Sequence, residues 1–424
     1  MRKFKMKTIF YLIAFSVLII SCSRSAGEGE VQQKESPKTL TDDELRLLAD
    51  SLAHQYIITD GHVDLPFRLK ARNFRLVKEL LGIPIETEDG DFDFVRAKKG
   101  GLDAPFMSIY IPSRYQETGG AKELADSLIN MVQGIIVAHP DKFGEGRTPQ
   151  QVDENFAAGK VSLPLGMENG APIGDDLANV KYFFDRGIRY ITLTHGKDNK
   201  ICDSSYDDQY TWNGLSPFGR EVVKEMNKVG IMVDVSHISD SSFYDVMDIT
   251  EAPVIASHSS CRHFTPGWER NMSDDMIKKL KDNGGVIQIN FGSSFLDSAV
   301  VEVNSINRAK LRAILDEHNL DARDSAAAPL IEEFRQNNPT LYADVERVAD
   351  HIDHVVQQAG IDHVGIGSDY DGVGDTLPTG LKDVSQYPNL IYVLLKRGYS
   401  PQDIEKVCYK NVWRVWNKVL EIAQ

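Results

Sequence analysis

Cysteine is scarce in this chain, four in 424 residues. None forms a CxxC pair, which argues against a cysteine-built metal site and a disulfide framework. Three of them, Cys202, Cys261 and Cys408, fall in the body of the sequence, and their spacing selects no disulfide pair. Positive charge is also in deficit: 47 Lys and Arg stand against 62 Asp and Glu, a formal net charge of -15. A nucleic-acid partner is thereby excluded, because phosphate binding needs a basic surface that releases counterions. There is no internal repeat, no low-complexity tract and no apolar run long enough for a comfortable membrane span. What is present, 42% hydrophobic and 26% charged residues, suffices for a large core, and we read one enlarged globular domain.

At the N-terminus Arg2, Lys3, Lys5 and Lys7 precede an apolar run from Ile9 to Ile20, the order of a secretory signal. The run ends in Leu18-Ile19-Ile20-Ser21-Cys22, which resembles a bacterial lipobox, where cleavage before the cysteine frees a thiol for lipidation. Residues 1–22 are therefore expected to be a signal peptide, with Cys22 the lipid anchor of an exported, membrane-anchored envelope lipoprotein. Residues 23–40 are polar and lack apolar periodicity, as a flexible tether would. The domain, 41–424, opens where Thr41-Asp42-Asp43-Glu44 can cap a helix bearing Leu45, Leu47, Leu48 and Leu52.

Beyond that helix, eight β-rich runs alternate with helical stretches: QYIITDGHVD, APFMSIYIP, VSLPLGMENG, IRYITLTH, IMVDVSH, APVIASHSS, GVIQINFG and HVGIGSDYDG. Near-continuous apolar strands separated by amphipathic helices predict an α/β fold with a parallel sheet, and eight units predict closure into a (β/α)8 barrel. About seventy residues separate the last two runs, too many for one crossover, so a helical insertion at about 295–345 is expected before the last strand. Its end, LYADVERVADHIDHVVQQAG, reads as the seventh barrel helix. His351 and His354 lie three apart there and, without a third ligand, read as surface residues.

Most of the runs end in a residue that can do chemistry: His62 and Asp64, Glu168, His195, His237, His258 and Asp369. In a parallel barrel all these ends open on one face, so they meet around one centre. His62-x-Asp64 alone is a weak signal, although the strand period of two puts both side chains on one face. Five ligands, with Glu168 as a bridge, exceed the needs of one tetrahedral ion. They divide into His62, Asp64 and Glu168 on one ion and Glu168, His237 and His258 on the other, with a water between that can react as hydroxide near neutral pH. Zinc suits these donors, and manganese or cobalt also fit them.

DGHVD, the strand-borne Glu168, RYITLTH, GLSPFGREVVKEMNKVGIMVDVSHIS, APVIASHSS, ERNMSDD and HVGIGSDYDG together resemble the successive motifs of the membrane dipeptidase family, from about residue 56 to 416. The resemblance implies an amidohydrolase-type barrel with two zinc ions that cleaves dipeptides and tolerates a D-residue at the C-terminal position. It implies His62, Asp64, Glu168, His237 and His258 as ligands, His195 facing the substrate carbonyl, Arg270 gripping the substrate carboxylate and Asp369 handling protons. Asp371 stays open as the alternative to Asp369. A homodimer is one assembly that it allows. The chain departs from the family pattern after the seventh strand, where Asn290-Phe291 is followed by Gly292 and then Phe295. One residue is added between His258 and Arg270, so the arginine is matched through the adjacent Asn271. Two readings compete: another hydrolysis on the same barrel, or a non-catalytic peptide-binding lipoprotein. Arg270 beside His195 favours a substrate with a free carboxylate next to a scissile amide.

Overall fold

Thr41 begins the folded chain as a helix cap. In the computed structural model, which describes residues 40–72, 75–76 and 85–423, its Oγ1 accepts from the Glu44 amide while the Glu44 carboxylate accepts from the Thr41 amide. This reciprocal pair satisfies two free donors at the start of α1 (Asp42–Gln55). The expected signal peptide, Cys22 and the tether up to residue 39 lie outside the described residues. Among the described residues, no helix is long and apolar enough to cross a membrane.

All eight expected runs form strands: β1 (Ile58–Val63), β2 (Leu102–Tyr110), β3 (Leu165–Glu168), β4 (Ile188–Thr192), β5 (Met232–Asp234), β6 (Ile255–Ser259), β7 (Val286–Ile289) and β8 (Val364–Ile366). Each is parallel to its sequence neighbours, and β8 closes on β1 with Ile366 opposite Asp60. The (β/α)8 barrel is thus complete. Outside the strands run α2 (Ala121–Ala138), α3 (Ala178–Arg186), α4 (Pro217–Val229), α5 (Asp240–Ile249) and α6 (Asp274–Asn283).

Between β7 and β8 the insertion contributes α7 (Ser298–Glu317) and α8 (Ala328–Asn337), followed by the barrel helix α9 (Val345–Ala359). Only Val300 and Leu315 of α7 are buried, and no residue of α8. The chain closes with α10 (Tyr387–Lys396) and α11 (Asn411–Ile422). His351 and His354 on α9 are buried, contrary to the surface reading; tertiary packing covers the face they share with Val348, Ile352 and Val355.

The strand period of two divides the core. In β2, Ala104 and Phe106 point into the barrel, and Met107 and Ile109 join the outer layer beneath the helices. The lower end of the barrel is filled by Phe106, Tyr190 and Trp416, with the Phe106 and Trp416 rings 5.2 Å apart. All three cysteines of the domain are buried and unpaired. Gly166 in β3 makes room for Tyr190, because a Cβ at 166 would lie 1.9 Å from the phenol ring. The Tyr190 hydroxyl stands at the base of the polar upper layer, 2.8 Å from His62 Nδ1. Gly166→Ala should overpack this point and destabilise the domain by roughly 1–3 kcal/mol, measurable by denaturant unfolding. An unchanged midpoint would show that the ring can move aside freely.

Candidate metal centre

Four imidazoles surround one buried carboxylate at the C-terminal ends of the strands. Glu168, 4% exposed at the end of β3, divides its oxygens between two sides. Its Oε2 lies 3.4 Å from His62 Nε2, while Oε1 lies 3.2 Å from His237 Nε2, 3.3 Å from His258 Nε2 and 3.5 Å from His195 Nε2. On the first side His62 Nε2 is also 3.5 Å from Asp64 Oδ2. The structure therefore gathers all five expected ligands, and it brings His195 and Asp369 into the same group.

The protons on two rings follow from simple counting. The Tyr190 hydroxyl donates its one proton to the Gly61 carbonyl at 3.0 Å, so it accepts from His62 Nδ1. Ser257 Oγ donates to Asp234 Oδ2 at 2.6 Å and accepts from His258 Nδ1 at 2.7 Å. Each imidazole then carries a proton on Nδ1 and turns Nε2 to Glu168. Against burial, Tyr190 and the Glu168 and Asp64 charges raise His62 well above the usual imidazole range. Burial, together with the Arg270 charge, pushes His237 well below the usual imidazole range, and burial with the neighbouring His62 does the same to His258. Both stay neutral, as a ligand must.

The carboxylates supply the complementary argument. Burial first, then the neighbouring Glu168 charge, raises Asp64. Burial raises Asp369 to about 7, with Asp64 and Glu168 adding to the shift against the opposing His62. Glu168 is held well below the carboxylate range despite its burial, because His62, His195, His237 and His258 outweigh it. Among the described residues neither Asp64 nor Asp369 has a Lys or Arg partner, and His62 Nε2, Asp64 Oδ1 and His237 Nδ1 have no hydrogen-bond partner. Divalent cations are the groups such a donor set fits.

The backbone aims these side chains. His237 (φ 70°) and Asp369 (φ 64°) both adopt the left-handed region, as strand ends bent toward a centre do at some conformational cost. Asp369 Oδ2 accepts from Asn290 Nδ2 at 2.8 Å. Asp371 pairs with Arg68 at 2.9 Å and also borders the cavity, while Asp369 lies in one group with His62 and Asp64. Arg270 comes from the loop after β6. Its Nη1 donates to Ser259 Oγ at 2.7 Å, and its Nη2 donates to the His258 carbonyl at 2.7 Å and lies 3.1 Å from His237 Nε2. Its Nε has no partner.

A cavity of about 300 Å³ opens above the centre, lined by Asp64, Glu168, His195, His237 and Asp369 at its floor. Phe67, Tyr110 and Tyr206 wall it from the early loops; Phe295, Val373 and Thr376 wall it from the later ones. Arg270 is 2% exposed and stands beside this space rather than on its surface, with the Phe295 ring 5.1 Å from its guanidinium carbon. Tyr190, Asp234, Ser257 and Asn290 join the site without having been expected there. Asp234 and Ser257 had a signal available, since each precedes a ligand histidine within its own strand motif.

A closed parallel barrel with this ligand set at its strand ends is the framework of a metal-dependent hydrolase. Residues 46–424 match the family described as membrane dipeptidase (peptidase family M19), and the chain belongs to that family. It is 33% identical to dipeptidase verJ of Clonostachys rogersoniana, over 92% of this chain and 90% of that one. Dipeptidase tcpJ of Claviceps purpurea is 31% identical, over 86% and 77% of the respective chains. Among solved structures, a probable dipeptidase PvdM from Pseudomonas aeruginosa aligns with a TM-score of 0.72 at 25% identity, over 90% of this chain and 100% of that one. A metallopeptidase from Rhodobacter sphaeroides, liganded with a phosphinate mimic of the dipeptide L-Ala-D-Ala, aligns at 0.69 and 25% identity, over 86% and 99%. The protein is a metallodipeptidase. Glu168→Ala, which removes the carboxylate that both sides share, should abolish most bound metal and activity together; elemental analysis showing a full metal complement would contradict that shared role.

Proposed function

We propose that the enzyme hydrolyses dipeptides with two zinc ions bridged by Glu168, and that it accepts a D-residue after the scissile bond. The observation that carries the reading is the division of the Glu168 oxygens, one toward His62 and the other toward His237 and His258. His62, Asp64 and Glu168 would hold one ion, and Glu168, His237 and His258 the other. Such ions supply Lewis acidity, which activates water near neutral pH and polarises a carbonyl.

The remaining roles belong to the chain itself. His195 lines the cavity as a neutral imidazole, because burial lowers its pKa, and its N–H donates to the amide oxygen that becomes negative. A preorganised donor of this kind contributes about 2.7–4 kcal/mol to the transition state. Asn290 fixes one oxygen of Asp369, so the carboxylate takes a proton from water and returns it to the leaving amine at one position. Arg270 carries a buried positive charge with an unpartnered Nε, and its Nη2 donor toward His237 would be free for a substrate if His237 held an ion. The substrate carboxylate satisfies those donors. The Rhodobacter sphaeroides relative bound to a mimic of L-Ala-D-Ala supports tolerance of a D-residue.

Dipeptides should accordingly be cleaved, while their C-terminal amides and the corresponding tripeptides should be poor substrates. Arg270→Met should lower kcat/KM by roughly tenfold to several hundredfold, the loss of a charge-assisted bond worth about 1.5–3 kcal/mol, with the metal content unchanged. Equal kcat/KM for a dipeptide and its amide would refute the arginine's role.

We also propose that Cys22 anchors the mature protein to the bacterial envelope, on the strength of the basic, apolar and Ile-Ser-Cys order at residues 2–22. Cys22→Ser should move the enzyme from the membrane to the soluble fraction with its turnover unchanged. Continued membrane fractionation of that variant would overturn the anchor.

A further inference from the structure

A second set of metal-type ligands lies on the outer side of the barrel, away from the strand-end centre. His263 comes from the loop after β6, Asp274 from the first turn of α6 and His354 from α9, and one ligand atom of each lies within 4.8 Å of the others. His354 is 8% exposed and brings Nε2 to 2.7 Å from Asp274 Oδ1. The His263 ring stacks on the His354 ring, with centroids 4.5 Å apart and planes 21° from parallel.

Two members are bonded to each other, and the third is free. Among the described residues, no hydrogen bond or ion pair holds the His263 ring, although it is exposed and ordered against a neighbour. Asp274 is not needed as the cap of its helix, because the Ser273 side chain performs that task by accepting from the Met276 amide. Its carboxylate is thereby free to face His354. Two imidazoles and one carboxylate from three separate elements match the donor set of a borderline first-row divalent ion, with a fourth position left to solvent.

The surroundings give such an ion a structural consequence. One turn earlier on α9, His351 Nδ1 accepts from the Cys261 amide at 3.0 Å, and its Nε2 donates to the Leu296 carbonyl at 2.9 Å. The Phe264 ring packs 4.4 Å from the His351 ring. The loop from Cys261 to Met272, which carries Trp268 and Arg270, is thus already docked on α9 at one point. An ion held by His263, Asp274 and His354 would fasten the same loop at a second point, to both α6 and α9.

We propose that His263, Asp274 and His354 form a third, weaker divalent-metal site of the zinc type that clamps the loop bearing Arg270. The test uses the full-length holoenzyme with its active-site metals in place, titrated with Zn2+ and read by equilibrium dialysis with elemental analysis. Wild type should take up one equivalent more than His263→Ala, and added Zn2+ should raise the Tm of wild type alone. His263 is exposed and unbonded, so the variant should keep its fold and its basal turnover. Cu2+ added to the zinc-loaded enzyme should give a nitrogen-coupled EPR signal that His263→Ala weakens or removes. Equal zinc uptake by the two proteins, or an unaltered copper signal in the variant, would overturn the site.

Discussion

Glu168 is ionised in the middle of the protein, and the barrel is arranged to make that tolerable. A carboxylate removed from water is costly unless its charge is met. Here four imidazole rings converge on its two oxygens, His62 foremost in holding it ionised, and the Nδ1 protons of His62 and His258 are fixed by hydroxyl groups whose own protons are committed to other acceptors. The chain of cause runs downward from the site. Tyr190 orients His62 only because Gly166 leaves space for its ring, and Asp234 orients His258 through Ser257. The apolar lower layer and the polar upper layer of one barrel are therefore a single packing problem.

Much of this was legible in the sequence because the strand pattern and the chemistry at the strand ends coincide. Apolar strands of period two give the barrel, and the polar residue that ends each strand must face the common mouth; His62, Glu168, His237 and His258 follow from that alone. The supporting residues were less visible. Asn290 and Tyr190 lie on strands or strand ends where their side chains look like ordinary core or turn residues, and their partners are 79 and 128 positions away. No local pattern encodes contacts of that range. His351 and His354 misled for a related reason: helical spacing predicts which face they share, whereas only the docked loop reveals that this face is buried.

Arg270 shows how position and role separate. Motif context places it at the centre, and the structure does so too, yet its guanidinium is occupied by Ser259, the His258 carbonyl and His237. The unpartnered Nε and the contact to His237 Nε2 leave the arginine with donors that no oxygen meets. Arg270 Nη2 and Glu168 Oε1 thus both face one atom, His237 Nε2.

The wall of the cavity is of mixed ancestry within the chain. Phe295 arises at the start of the insertion, and its backbone is tied to the barrel by a bond from Asn271 Nδ2 to its carbonyl at 2.8 Å. A Cβ at Gly292 would come within 2.8 Å of the Phe295 ring, so the missing side chain at 292 and the ring at 295 occupy one volume between them. The catalytic floor is built wholly from strand ends, whereas this part of the enclosure is supplied by a segment the barrel does not need in order to close. A change at the first residues of the insertion would consequently alter the wall of the cavity without touching the side chains at its floor.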